Sequence, residues 1–117
     1  MNLQPDDQEQ MVDFDNSKWE LSPQQVCQLL QSDEDFLLMD CRSHEEWEAG
    51  HINGATCLPL QEMSTRLNEL ESNRNRAIVI YCRTGRRSAI VAKFLSMTGY
   101  SHVRSMAGGL DSWKELD

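Results

Sequence analysis

The chain has 117 residues, enough for one domain with its own hydrophobic core and too few for a second catalytic domain. Its 11 basic and 19 acidic residues give a net charge of −8, which argues against nucleic acid as a partner. No apolar run approaches the roughly 20 residues of a membrane span, and no basic start precedes an apolar stretch at the N-terminus. We therefore expect a cytoplasmic protein with no membrane partner and no disulfide framework among its four cysteines.

Residues 1–16 differ in composition from the rest of the chain. They hold five acidic and no basic residues and are rich in Gln. Such a segment has no packing demand, so we predict an acidic, flexible leader over 1–16 and a single domain over 17–117.

Helical and strand patterns alternate after the leader, which is typical of an α/β domain built on a parallel sheet. Two helix starts carry a capping box, one at Ser22 and one at Ser43. The predicted helices begin at Pro23 and His44 and then cover 60–70, 88–97 and a closing segment around Trp113. The predicted strands are 36–40, 55–59, 77–81 and 102–104. We predict a small parallel β-sheet flanked by helices on both faces.

Cys82 lies between the buried strand pattern 77–81 and the helix pattern that follows it. A cysteine there meets the unpaired N–H groups and the positive dipole end of a helix N-terminus, both of which favour an anion. Arg83, Arg86 and Arg87 add positive charge beside it. The pattern predicts a thiol that ionises more readily than an ordinary cysteine and acts as a nucleophile, rather than an inert core cysteine.

Three segments of the chain resemble the rhodanese family of sulfurtransferases, and together they span roughly residues 18–116. The first is Leu38-Met39-Asp40-Cys41-Arg42 with Glu46-Trp47 and Gly50-His51-Ile52-Asn53-Gly54-Ala55. The second is Tyr81-Cys82-Arg83-Thr84-Gly85-Arg86-Arg87-Ser88, and the third is Met106-Ala107-Gly108-Gly109-Leu110 with Trp113. Their order and spacing fit a single-domain member of that family.

The resemblance implies a two-step sulfur transfer that needs no cofactor. Cys82 would take sulfane sulfur from a small anionic donor such as thiosulfate, hold it as a persulfide and pass it to a thiol, a protein or cyanide. Backbone N–H groups from Arg83 to Ser88, including those of Thr84 and Gly85, would cradle the charge. Arg83 is the arginine expected to meet substrate and Arg87 the one expected to support the loop, while Arg86 is a further candidate for anion binding.

Residues outside the loop are expected to support the structure. In proteins of this kind the positions of Asp40 and Arg42 tie the loop after a buried strand to its neighbours, and a carboxylate beside an arginine stays ionised. His51 is expected to fix a turn rather than to act as a base. Cys41 remains open as a thiol that resolves a persulfide on Cys82, because both lie at strand ends.

Three alternatives accompany the sulfurtransferase hypothesis. A cysteine-dependent phosphatase would need an arginine six positions after the cysteine, where this chain has Ser88. A zinc site would need the loosely spaced Cys41, His44, His51 and Cys57, so we predict no metal. A non-catalytic or sulfur-carrier module that serves a protein partner fits the same loop and stays open.

Overall fold

The computed structural model describes residues 19–116, so the predicted leader over 1–16 lies outside the described residues. Five parallel strands form one sheet in the order β1-β5-β4-β2-β3. The strands are β1 Glu20–Leu21, β2 Phe36–Asp40, β3 Thr56–Cys57, β4 Ala77–Tyr81 and β5 His102–Met106. Within 19–116, no helix has the length and apolar character needed to cross a membrane.

Helices cover both faces of the sheet, as predicted. The α-helices are α1 Pro23–Gln31, α2 His44–Ala49, α3 Met63–Arg66, α4 Arg86–Met97 and α5 Gly109–Trp113. Short 3-10 segments, Leu60–Glu62 and Leu67–Asn73, flank α3. Capping boxes start α1 at Ser22 and α2 at Ser43, where each serine and the Gln or Glu three residues later bond each other's backbone N–H.

Side-chain alternation along the central strand β4 divides the core into two layers. Ile78 and Ile80 face the layer that α4 covers, whereas Val79 and Tyr81 face the layer that α1 and α5 cover. Cys82 continues the first of these faces at the end of the strand. The strand therefore aims the thiol at the start of α4.

The structure differs from the predicted elements in five places. The 102–104 strand extends to Met106. The short edge strand β1 was not predicted, because two residues give no alternation pattern. The 55–59 strand is reduced to the two residues of β3, and Cys57 is half-buried at this edge of the sheet. The 60–70 helix is a mixture of 3-10 and α turns that starts without a side-chain cap. Helix α4 begins two residues before Ser88, because Gly85 takes a left-handed φ of 97° that reverses the chain at once.

Candidate active site

The Cys82 thiol lies at the bottom of a tight loop that joins β4 to α4. The loop folds back so that the Gly85 N–H, 3.1 Å away, and the Ser88 N–H, 3.4 Å away, both donate to Cys82 Sγ. The Ser88 Oγ is 3.5 Å from the same sulfur. Cys82 is 1 % exposed, so these donors replace the water that would otherwise solvate a thiolate.

Hydrogen bonds make this thiol acidic. The Cys41 thiol contributes most, followed by the Ser88 hydroxyl and the two backbone N–H groups, and together they lower the pKa of Cys82 to about 4 against the opposing effect of burial. At neutral pH Cys82 is therefore a thiolate, which is the nucleophilic form of cysteine.

Cys41 occupies the matching position at the end of the neighbouring strand. Its N–H donates to the Tyr81 carbonyl at 3.0 Å, which continues the register of β2 with β4 and puts both cysteines on one face. The hydrogen bond to Cys82 and burial raise the pKa of Cys41 far above its usual range. Cys41 is thus a protonated donor beside the thiolate.

The three loop arginines have different environments. Arg87 forms a two-pronged ion pair with Glu46 of α2, at 2.9 and 3.1 Å, and this pair holds the pKa of Glu46 at about 2. Arg83 is exposed, with its guanidinium 3.8 Å from the Asp111 carboxylate. Arg86 is exposed as well, and so is Thr84 at the loop tip. Glu46 belongs to the segments that carry the family resemblance and to a capping box, but its pairing with Arg87 was not predicted.

Asp40 and Arg42 form a buried pair next to the loop. The Arg42 Nε and Nη2 donate to the Asp40 carboxylate at 2.8 to 3.1 Å, and Nη2 also donates to the Gly50 carbonyl at 2.6 Å. The pair therefore ties the end of β2 to the end of α2.

His51 lies on the surface, away from the sulfur. Its ring stacks on Trp47 with 3.5 Å between the ring centroids, and its Nδ1–H donates to the Trp47 carbonyl at 2.9 Å. That contact fixes the turn after α2.

The first turn of α5 packs directly against the cysteine loop. The Leu110 N–H donates to the Cys82 carbonyl at 2.8 Å, and the Asp111 N–H donates to the Arg83 carbonyl at 3.0 Å. A Cβ on Gly109 would lie 2.5 Å from the Arg83 carbonyl, so the approach requires glycine. These contacts fix the backbone of the loop from behind.

No three His, Cys, Asp or Glu side chains gather into a metal-binding group anywhere in 19–116. Of the four residues weighed for zinc, Cys57 and His44 do meet, with Sγ and Nδ1 3.9 Å apart. His51 is engaged with Trp47, and Cys41 with Cys82.

A groove lies along α4. It has a volume of about 240 Å³ and is lined by Leu60, Met63, Ser64, Ile90, Val91 and Phe94. Ile90, Phe94 and Met97 leave 60 %, 41 % and 85 % of their surfaces exposed. Helix α4 carries Arg86, Arg87 and Lys93 and no acidic residue. The exposed surface of α4 is thus basic and apolar in an acidic chain.

A thiolate held by backbone donors at the end of a parallel strand defines a cysteine-dependent α/β domain. The chain belongs to the rhodanese-like domain family, whose family model matches residues 22–116. This assignment confirms both the resemblance and the predicted fold class.

Individual relatives agree with that assignment. The chain is 35 % identical over 94 residues to a sulfurtransferase of Allochromatium vinosum, covering 80 % of this chain and 86 % of that protein. It is 37 % identical over 94 residues to YrkF of Bacillus subtilis, which is named as a candidate sulfur carrier; the match covers 80 % of this chain and only half of YrkF. The human single-domain sulfurtransferase TSTD1 superposes with a TM-score of 0.75 at 28 % identity, covering 84 % of this chain and 96 % of TSTD1. These relatives support a role in sulfur transfer.

Proposed function

We propose that the protein is a thiosulfate sulfurtransferase-like enzyme in which Cys82 carries the sulfur as a persulfide. The observation that carries the proposal is a buried thiolate held by the Gly85 and Ser88 N–H groups. A thiolate is the form of cysteine that attacks a sulfane sulfur. The sulfurtransferase relatives support the same chemistry.

The reaction balances without an external base. The Cys82 thiolate attacks the outer sulfur of thiosulfate, a new S–S bond forms, the S–S bond of the donor breaks, and sulfite leaves with the electron pair. An acceptor such as cyanide then attacks the terminal sulfur of the persulfide. A carbon–sulfur bond forms, the S–S bond breaks, and the electron pair returns to Cys82 as thiolate while thiocyanate departs.

The other predicted site residues have separate roles in this proposal. The backbone from Arg83 to Ser88 stabilises the negative persulfide, and the exposed Arg83 and Arg86 attract the anionic donor. Arg87 supports the loop through Glu46. The remaining support comes from Asp40, Arg42 and His51, which fix the neighbouring turns.

Steady-state kinetics test the enzyme proposal. With thiosulfate and cyanide, the wild-type protein and a Cys27→Ser control should produce thiocyanate at equal rates. Cys27 is a half-buried thiol of α1 and lies outside the cysteine loop. Cys82→Ser should produce none. Equal turnover by Cys82→Ser and wild type would overturn the assignment of Cys82.

A sulfur-carrier module that serves a protein partner is the second candidate. The basic and apolar surface of α4, with Arg86, Lys93, Ile90 and Phe94 exposed, favours a partner that presents acidic groups around an apolar side chain. For a carrier we expect Cys82 to take up one sulfur atom, while turnover with cyanide stays negligible. Rapid cyanide turnover would favour the free-standing enzyme.

We also propose that the protein is cytoplasmic. Four free cysteines and an ionised Cys82 suit a reducing compartment that keeps thiols available. Fractionation of cells that produce the protein should place it with the cytoplasmic markers, and recovery with export-compartment markers would contradict this.

A further inference from the structure

Ser105 is a buried hydroxyl that the sulfur-transfer chemistry does not use directly. It lies in β5, is 0 % exposed, and pairs in register with Ile80 two residues before Cys82. Val103, two residues earlier in the same strand, faces the α4 layer, so alternation points Ser105 toward the start of α4 as well. There its Oγ is 2.7 Å from the Ser88 Oγ.

The three side chains form a continuous line from the sheet to the sulfur. Ser88 Oγ is 2.7 Å from Ser105 and 3.5 Å from Cys82 Sγ. A serine hydroxyl has one proton to donate and lone pairs to accept with, whereas a thiolate only accepts. When Ser88 donates to the sulfur, its oxygen is left to accept the proton of Ser105, and each bond in such a chain strengthens the next.

We propose that Ser105 is a positioning residue that holds the Ser88 hydroxyl toward Cys82 and so stabilises its thiolate. This inference rests on the proposed role of Cys82 as the sulfur-carrying nucleophile. Ser105 itself does not touch the reacting atoms. Ser105 donates its proton to the Ser88 Oγ, and the Ser88 proton is then directed at the sulfur.

The other groups around Cys82 are independent of this line. Cys41 faces it from the end of β2, with Asp40 behind, and Arg87 faces it from α4 with its charge paired to Glu46. Arg83, beside Asp111 of α5, is exposed. Substitution of Ser105 leaves all of these charges and the two backbone N–H donors in place, so any change in the pKa of Cys82 reports on the serine line.

The test is the pH dependence of Cys82 alkylation by iodoacetamide in the full chain, read on the Cys82 peptide by mass spectrometry. Because one donor to the thiolate weakens, Ser105→Ala should raise the apparent pKa of Cys82 by about half to one unit. Ser88→Ala should raise it by more, and the Ser88→Ala, Ser105→Ala double variant should match Ser88→Ala. Ser101→Ala is the control, because its hydroxyl bonds the Arg74 carbonyl at the other end of β5.

Two outcomes overturn the proposal: an unchanged pKa in Ser105→Ala, or an equal shift from Ser105→Ala in the Ser88→Ala background. Ser105→Thr keeps the hydroxyl and should keep the wild-type pKa, which provides a second test should the alanine variant fail to fold. A wild-type pKa near the ordinary value would instead contradict the thiolate on which the proposed function depends. Failure of the positioning role leaves the low wild-type pKa intact, so the two failures are distinguishable.

Discussion

At the scale of the residue, hydrogen bonds rather than arginine charges account for the acidity of Cys82. The sequence places three arginines within five residues of the thiol, and that proximity suggests electrostatic activation. In the structure Arg83 and Arg86 face solvent, and Glu46 balances Arg87. The Gly85 N–H, the Ser88 N–H and the Ser88 hydroxyl lie within hydrogen-bond distance of the sulfur, and the Cys41 thiol lowers the pKa of Cys82 from the end of β2.

The low pKa of Cys82 predicts a stability that depends on pH. The folded pKa of about 4 lies below the value of about 8.5 in an unfolded chain, so the thiolate stabilises the folded state. This contribution is complete above the unfolded pKa and is lost as pH falls toward 4. Cys41, whose pKa is raised, stays a thiol between pH 5 and 8 and adds no slope there.

Urea unfolding of wild type and Cys82→Ser between pH 5 and 8 measures this effect. The difference between their free energies of unfolding should grow with pH, by at most about 1.4 kcal/mol per pH unit, the value for one proton. Cys27→Ser should follow wild type. A difference that is flat over this range would show that Cys82 ionises alike in the folded and unfolded states.

Glu46→Gln tests the proposed role of Arg87 in supporting the loop. Glutamine keeps the capping bond to the Ser43 N–H but removes the charge that pairs with Arg87. We expect the rate of sulfur uptake from thiosulfate to fall several-fold while helix content stays the same. Glu45→Gln, an exposed neighbour on the same helix, should leave the rate unchanged. Equal rates for the two variants would show that the charge of Glu46 does not contribute to sulfur uptake.

At the scale of the element, the first turn of α5 sets the shape of the cysteine loop. Gly109→Ala places a methyl group against the Cys82 and Arg83 carbonyls at a φ of 61°. We expect a loss of more than about 3 kcal/mol of unfolding free energy, since backbone strain and a clash add together, and a loss of sulfur uptake in the folded fraction.

Gly54→Ala is the matched control for that clash. Gly54 also has a left-handed φ, of 91°, but a Cβ there meets no atom within 4 Å. Only the strain of about 1–2 kcal/mol should appear in urea unfolding, with sulfur uptake retained. If both variants lose the same stability and activity, the close approach of α5 to the loop has no special role.

The Asp40–Arg42 pair joins two elements, and its removal should be costly. Asp40→Ala leaves the Arg42 guanidinium buried without its carboxylate, for which we expect a loss of about 3–5 kcal/mol. Asp35→Ala removes the exposed partner of Arg76 and should cost less than about 1 kcal/mol. Urea unfolding at neutral pH compares them, and a small, equal effect in both would mean that the buried pair does not anchor β2 to α2.

At the scale of the whole molecule, local signals predicted most of the fold. The bounds of β2 and β4 and the two capping boxes agree with the structure, because alternation, apolar runs and cap residues are short-range patterns. The two-residue β1 and the 3-10 turns around α3 were not predictable in this way. Their positions depend on pairing with β5 and on packing against the core, which are long-range contacts.

The residues of the candidate site also divide into those that local sequence patterns predicted and those that depend on long-range contacts. Cys82 and its loop were visible from a strand, a cysteine and a helix in succession. The partners that the loop brings together from elsewhere, Glu46 for Arg87 and Ser105 for Ser88, come from other elements of the fold. Ser105 is one of three polar residues in the five-residue strand β5, so the pattern of that strand gave no signal for its pairing with Ser88.

The central claim is that Cys82 holds the transferred sulfur. Intact-mass measurement after incubation with thiosulfate, followed by peptide mapping, tests it most directly. We expect an added mass of one sulfur atom on the Cys82 peptide of the wild type and of Cys27→Ser, removed by cyanide and absent from Cys82→Ser. No adduct on the wild type with thiosulfate or with a low-molecular-weight persulfide, or an adduct that persists in Cys82→Ser, would contradict it.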